Sequence, residues 1–262
     1  NTQPVCDTPA GVEYLLRRRG AVEILPIAAV TEASLGERLT DFRALARAGA
    51  AAFSDDGRPV SDDALMREAL LLSKETGRPV VSHCEKLELL RGGLMNEGEV
   101  SRRLGLPGID RAAEEVMTAR HIELALETGG RRHIAHVSTR GAVELVRRGK
   151  AAGADLTAET CPHYFSLTDA ETVGFNPMAR VNPPLRTADD VEAIIEGLLD
   201  GTLDCIATDH APHALWEKEA GFAQAPCGIS GLETAFSVGY TYLVLPGRMP
   251  LDALSRLMNE GP

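Results

Sequence analysis

"LDCIATDHAPH" (203–213) decides how the rest of the chain is read. It opens on an apolar run, "LDCI", within 203–208, which reads as a buried strand, and the stretch then places Asp209, His210 and His213 where that strand ends. Titratable side chains collected at the C-terminal ends of buried strands mark the ligand-binding face of parallel α/β folds.

The same arrangement recurs upstream. Short apolar runs at 22–30, 50–53, 78–83, 132–137 and 154–159 read as further strands, which with 203–208 makes six. Amphipathic segments at 36–49, 61–77, 111–129, 141–153, 187–201, 231–244 and 250–260 read as helices, the first closed by Gly49 and the second opened by Ser61 as N-cap. Continuously apolar strands alternating with helices predict a parallel sheet covered on both faces. "FSDDG" follows 50–53, His83 ends 78–83, His136 sits near the end of 132–137, and "TAETCPHY" marks the end of 154–159. An open sheet binds ligands around one switch point. Ligand-type residues at five strand ends instead predict a β/α barrel. No Gly-rich phosphate loop follows the first strand, which removes the main support for a dinucleotide fold.

The bulk properties narrow the functions. The chain has 262 residues, 44% hydrophobic and 25% charged, with material for a sizeable core. No apolar run reaches the roughly 18 residues of a membrane span. A formal net charge of −11 argues against nucleic acid and anionic membrane as partners. The five cysteines, Cys6, Cys84, Cys161, Cys205 and Cys227, form no C-x-x-C pair, and their odd number predicts a reducing, cytoplasmic setting. The opening "NTQPVCDTP" has neither the basic nor the apolar region of a signal peptide.

Taken singly, the strand-end residues are ambiguous. The aspartates of "FSDDG" suit a turn as well as a metal, and Asp209 suits a helix cap as well as a ligand. His83 or His136 alone reads as a structural histidine, as do His121, His133 and His163. Taken together, Asp56, His83, His136 and Asp209 come from four strand ends of one face, and imidazole with carboxylate suits Zn²⁺ or a related divalent ion. A carboxylate beside an activated water can also move its proton, and Asp209 is the candidate for that role.

"FSDDG", "VSHCE", "HIAHVST", "ETCPHYF", "VNPPLR", "ATDHAPH" and "GISGLET", in this order, resemble a class I dihydroorotase of the amidohydrolase superfamily. The resemblance implies a TIM-type (β/α)8 barrel of the metal-dependent amidohydrolase type. It also implies one or two Zn²⁺ ions and the reversible cyclisation of N-carbamoyl-L-aspartate to L-dihydroorotate in pyrimidine synthesis. It makes Asp56 the metal-bridging carboxylate, where many relatives carry a carboxylated lysine. It makes His83 and His136 ligands of the second metal, and Asp209 a ligand of the first metal and the general acid/base. Asn1, Asn182 and His213 become substrate-holding groups, and Cys227 and Gly228 a backbone contact to substrate, with Cys227 departing from the phenylalanine of the pattern. The family's His-x-His-x-Arg motif does not occur in this sequence. The expectation is therefore one partial barrel domain over 1–262, entered after the second barrel strand. Expected partners are the small-molecule substrate and a second copy in a homodimer, with association with aspartate transcarbamoylase left open. Two rivals stand beside this reading: another cyclic amidase (an allantoinase or a dihydropyrimidinase), and a non-catalytic dihydroorotase-like subunit supporting aspartate transcarbamoylase.

Overall fold

A computed structural model describes residues 3–18 and 20–262. Its main sheet runs in the order β1 (Ile27–Ala28), β2 (Ala52–Phe53), β3 (Val80–Ser82), β6 (Arg132–Ile134), β7 (Leu156–Thr160), β8 (Cys205–Ile206). A separate two-stranded sheet joins β4 (Met95–Asn96) and β5 (Gly108–Ile109). Every strand pairing whose register is defined is parallel. The six expected strands are the six of the main sheet, in sequence order. The chain's contacts divide it into two compact units.

The first unit comprises 1–84, 119–135 and 148–157. Its core packs Val12, Ala28, Val30, Phe42, Leu45, Phe53, Met66, Leu70, Val80 and Leu124. Phe42 stacks on Phe53 with ring centroids 3.8 Å apart. Helix Asp63–Thr76 is capped by Asp62, whose side chain accepts from Leu65 N at 2.7 Å, and not by Ser61. The Ser61 hydroxyl donates to Pro59 O instead.

The helix expected at 36–49 is also shorter and spans Phe42–Ala48. Residues 36–40 are held out of it because Glu32 N donates to Arg38 O, Thr40 N donates to Val30 O, and Thr31 bridges Leu39. Asp41 then caps the helix start and Gly49, at φ 106°, ends it in a left-handed turn that glycine enters without a Cβ clash. The strand expected at 22–30 keeps only Ile27–Ala28. Pro26 lies just before it and has no N–H to donate.

The second unit comprises 85–118, 136–147 and 158–262. One small core packs Cys161, Tyr164, Ala179, Val181 and Leu185. Helix Ala188–Leu199 opens on Thr187, whose N and Oγ1 both donate to Asp190 Oδ2. The helix expected at 231–244 is α-helical only over Ala235–Gly239 and widens to a π-turn over Tyr240–Val244. The stretch 84–110, where no element is expected, contains β4, β5 and helix Glu99–Leu104. Its apolar runs are too short to show periodicity.

Candidate functional site

In the first unit the two aspartates of "FSDDG" separate by role. Asp55 is buried and accepts from Val30 N at 2.9 Å, Thr31 N at 3.1 Å and the Thr31 hydroxyl. Burial pushes its carboxyl up, and the bonds from Thr31 and Val30 oppose that rise. Asp55 therefore ties β2 to the residues after β1. The next residue, Asp56, turns away into the Gly57 turn, and its side chain is 43% exposed. Its Oδ1 lies 3.9 Å from His83 Nδ1, and His83, just beyond β3, is buried. The first acid anchors the backbone, and the second, the one the sequence reading singled out, is left with its carboxylate toward His83.

Beside Asp56, a cleft of about 530 Å³ is lined by Gln3, Pro4, Val5, Asp7, Ala33, Ser34, Gly57 and Arg58. The expected substrate contact Asn1 lies outside the described residues. His133 and His121 keep their structural readings. His133 Nδ1 lies 2.7 Å from Thr157 Oγ1. His121 is buried in its helix, where burial holds its imidazole well below the usual range.

In the second unit His136 and Asp209 both have left-handed backbone, at φ 38° and 44°. Histidine and aspartate enter this region more readily than most residues, but the conformation persists only where the surroundings enforce it. Two and three residues after His136, the chain is held by Glu114, which is buried. Its carboxylate accepts from Ser138 N at 2.8 Å, Thr139 N at 3.2 Å and the Ser138 hydroxyl, and pairs with Arg186 at 3.3 Å. The buried guanidinium of Arg186 also donates to Ser138 Oγ at 3.1 Å and Asn96 Oδ1 at 3.1 Å. Two sequence motifs, "HVST" and "VNPPLR", are thus fastened to one carboxylate. Sequence reasoning missed this acid because it looks like an ordinary helix-start glutamate. Two adjacent glutamates in the first turn of the helix Ala112–Thr128 were the only signal.

Breaking that group has a calculable cost. Removing one partner of a buried ion pair typically destabilises by about 3–5 kcal/mol, because the other charge stays buried. Glu114→Ala is expected to lose that much, read as a lowered denaturant midpoint of the intact protein. An unchanged midpoint would mean that Arg186 finds another counter-charge.

Asp209 caps no helix. The next helix begins at Leu215, and its N-cap is Ala214. Instead the loop after β8 is stitched to "CGISGL". Ala211 N donates to Ile229 O at 3.1 Å, Leu232 N donates to His210 Nδ1 at 3.2 Å, and His213 Nε2 lies 3.0 Å from Cys227 O. Gly228, at φ 148°, has no room for a side chain: a Cβ there would lie 2.4 Å from Ala211 O and 3.1 Å from His213 Cδ2. His213, Cys227 and Gly228 therefore form one group. Asn182 lies two residues beyond Arg180, whose O accepts from Gly228 N at 3.0 Å, and its Nδ2 donates to Glu85 Oε1 at 2.8 Å.

Asp209 also lies with Cys161 and His163, and their ligand atoms are all within 4.8 Å of one another. His163 is buried, and burial, with the charge of His136 adding to it, lowers its imidazole to about 3. It is neutral at any ordinary pH. Its Nε2 is enclosed with no hydrogen-bond partner. Carboxylate and imidazole side by side at strand ends, with strained backbone at His136 and Asp209, fit a divalent metal better than a set of caps and turns.

The sequence profile described as Dihydro-orotase-like matches residues 1–142. The dihydroorotase of Syntrophus aciditrophicus is 51% identical over 100% of the chain, and that of Acetivibrio thermocellus 50% over the same span. The chain covers 62% of each of these relatives. Among solved structures, L-hydantoinase (dihydropyrimidinase) from Arthrobacter aurescens superposes on 100% of the chain with a TM-score of 0.84 at 23% identity, with 60% of that chain covered. This likeness concerns the fold, an α/β chain whose parallel sheet is consistent with a partial β/α barrel.

Proposed function

Because this chain belongs to the dihydroorotase family, we propose that the intact protein is a dihydroorotase that interconverts L-dihydroorotate and N-carbamoyl-L-aspartate. The observation that carries the reading is Asp209, set just beyond β8 in a left-handed turn that no helix cap explains. We read the chain as a single catalytic domain. Asp56, His83, His136 and Asp209 would hold one or two divalent ions, Zn²⁺ by the character of the donors. When bound, such an ion polarises the ring amide carbonyl and acidifies the attacking water.

The chain's own groups do the rest. In the hydrolytic direction, Asp209 takes the proton from the attacking water as the new C–O bond forms. It then gives that proton to the ring nitrogen as the C–N bond breaks, which closes the proton balance without an outside acid. Cyclisation is the reverse. Asn182 and His213 face the substrate's carboxylate and amide, and the backbone at Cys227 and Gly228 lies against the ring. Asn1 belongs to the same substrate-holding set. Asp56, set on its turn by the anchored Asp55, keeps its carboxylate toward His83.

The proposal extends to the setting. No helix among the described residues is long and apolar enough to cross a membrane. All five cysteines are free thiols, four of them buried, which supports a reducing cytoplasm. A homodimer is the expected assembly, with association with aspartate transcarbamoylase as a further property to test.

Turnover of L-dihydroorotate, allantoin and dihydrouracil, measured side by side on the intact protein, tests the reading. Preference for dihydroorotate supports it. Preference for either other ring would assign the protein to another cyclic amidase, and no turnover of any would favour a non-catalytic subunit.

Asn182 offers a narrower check. Asn182→Ala is expected to raise KM for dihydroorotate about tenfold, the effect of losing one hydrogen bond to a charged group, with metal content unchanged. Loss of metal at constant KM would move Asn182 from substrate to metal.

A further inference from the structure

We propose that Cys161, His163 and Asp209 form a thiolate-bearing metal seat that takes a thiophilic divalent cation such as Zn²⁺, Co²⁺ or Cd²⁺. Cys161 follows β7 and Asp209 follows β8, and these strands are paired in parallel through Thr160 and Ile206. Ala207 N donates to Thr160 O at 3.0 Å, so the residues just beyond leave the sheet side by side. Pro162 then starts the short helix Pro162–Ser166, which carries His163. Tyr164, next to it, is fixed by its hydroxyl donating to Pro183 O at 2.6 Å and by its N donating to Cys161 O at 2.9 Å.

The donor set is sulfur, imidazole and carboxylate, with all three ligand atoms within 4.8 Å of one another. Zinc bonds of about 2.0–2.3 Å place tetrahedral ligand atoms about 3.3–3.7 Å apart, so the group needs to close by only about an ångström. His163 Nε2 supplies the independent sign. It is enclosed without a partner in a residue only 5% exposed, and a buried polar atom of this kind calls for a ligand. Sulfur beside nitrogen selects against Mg²⁺ and Ca²⁺, which take oxygen. Binding transfers the Cys161 thiol proton to solvent and forms the sulfur–metal bond, with no change of oxidation state. Three protein ligands leave one position open.

The seat shares Asp209 with the hydrolytic centre proposed above and rests on that reading for this one residue. The test is the absorption spectrum of the Co²⁺-loaded intact protein. A thiolate-to-cobalt charge-transfer band in the near ultraviolet is expected, lost in Cys161→Ser and kept in Cys227→Ser. His163→Gln is expected to weaken Co²⁺ binding at this seat at least about tenfold, as outer and inner ligand losses commonly do. X-ray absorption of the Zn²⁺-loaded wild type is independent of whether the variants fold, and it should show sulfur at about 2.3 Å. Bound metal with only nitrogen and oxygen neighbours, or a band that survives Cys161→Ser, overturns the seat and leaves the hydrolytic centre standing. Protein that binds no divalent metal overturns both.

Discussion

Asp209→Asn in the intact protein is expected to lower kcat by about 10²–10⁴-fold, the usual contribution of a positioned general acid/base. The substitution separates two roles. The amide oxygen can still approach a cation, but the amide cannot accept a proton from water at neutral pH. Asparagine also tolerates the left-handed backbone that Asp209 adopts at φ 44°. The loop after β8 should therefore keep its shape, since Ala211, His210 and His213 hold it through other groups. The measurement is kcat across pH for both proteins, with metal determined on the same samples. A variant with full metal and near wild-type kcat would show that Asp209 does not move the proton.

Metal removal is expected to have a comparable or larger effect. Polarising a carbonyl and acidifying a water are together worth several kcal/mol. Four of these correspond to about 10³-fold in rate. Turnover of dihydroorotate should fall by at least that factor after exhaustive chelation and return when Zn²⁺ is added. Full-rate turnover by verifiably metal-free protein would remove the metal from the mechanism and, with it, the roles given to Asp56, His83 and His136.

Those residues were legible in the sequence for a physical reason. A buried parallel strand is a continuous apolar run, so a polar residue at its end stands out. That contrast brought His83 and Asp209 forward, but only their grouping with Asp56 and His136 made them candidate ligands, and the order of the six strands followed from the same runs. Asp56 was chosen over Asp55 by motif. In the structure Asp55 is engaged by Thr31 and Val30.

What the sequence hid were features whose signal is relational. Glu114 matters because Ser138, Thr139 and Arg186 reach it from 24, 25 and 72 residues away. No local pattern records that. Helix 36–49 was overextended because "GERLT" has helical composition, and only its pairing with 30–32 keeps it extended. Cys161 and His163 flank a proline in a motif that reads as structural, and their nearness to Asp209 arises from the β7–β8 pairing.

The left-handed turns at His136 and Asp209 bear on how this protein can change. At most positions, folding and activity constrain a side chain through different atoms, and one can drift while the other is kept. At these two the backbone accepts a short list headed by glycine, asparagine, aspartate and histidine, and the chemistry accepts a list that excludes glycine. The overlap is small enough that the two demands become nearly one. On the proposed reaction, a lineage that gave it up could settle on glycine or asparagine at 136 and 209 at little cost to its fold.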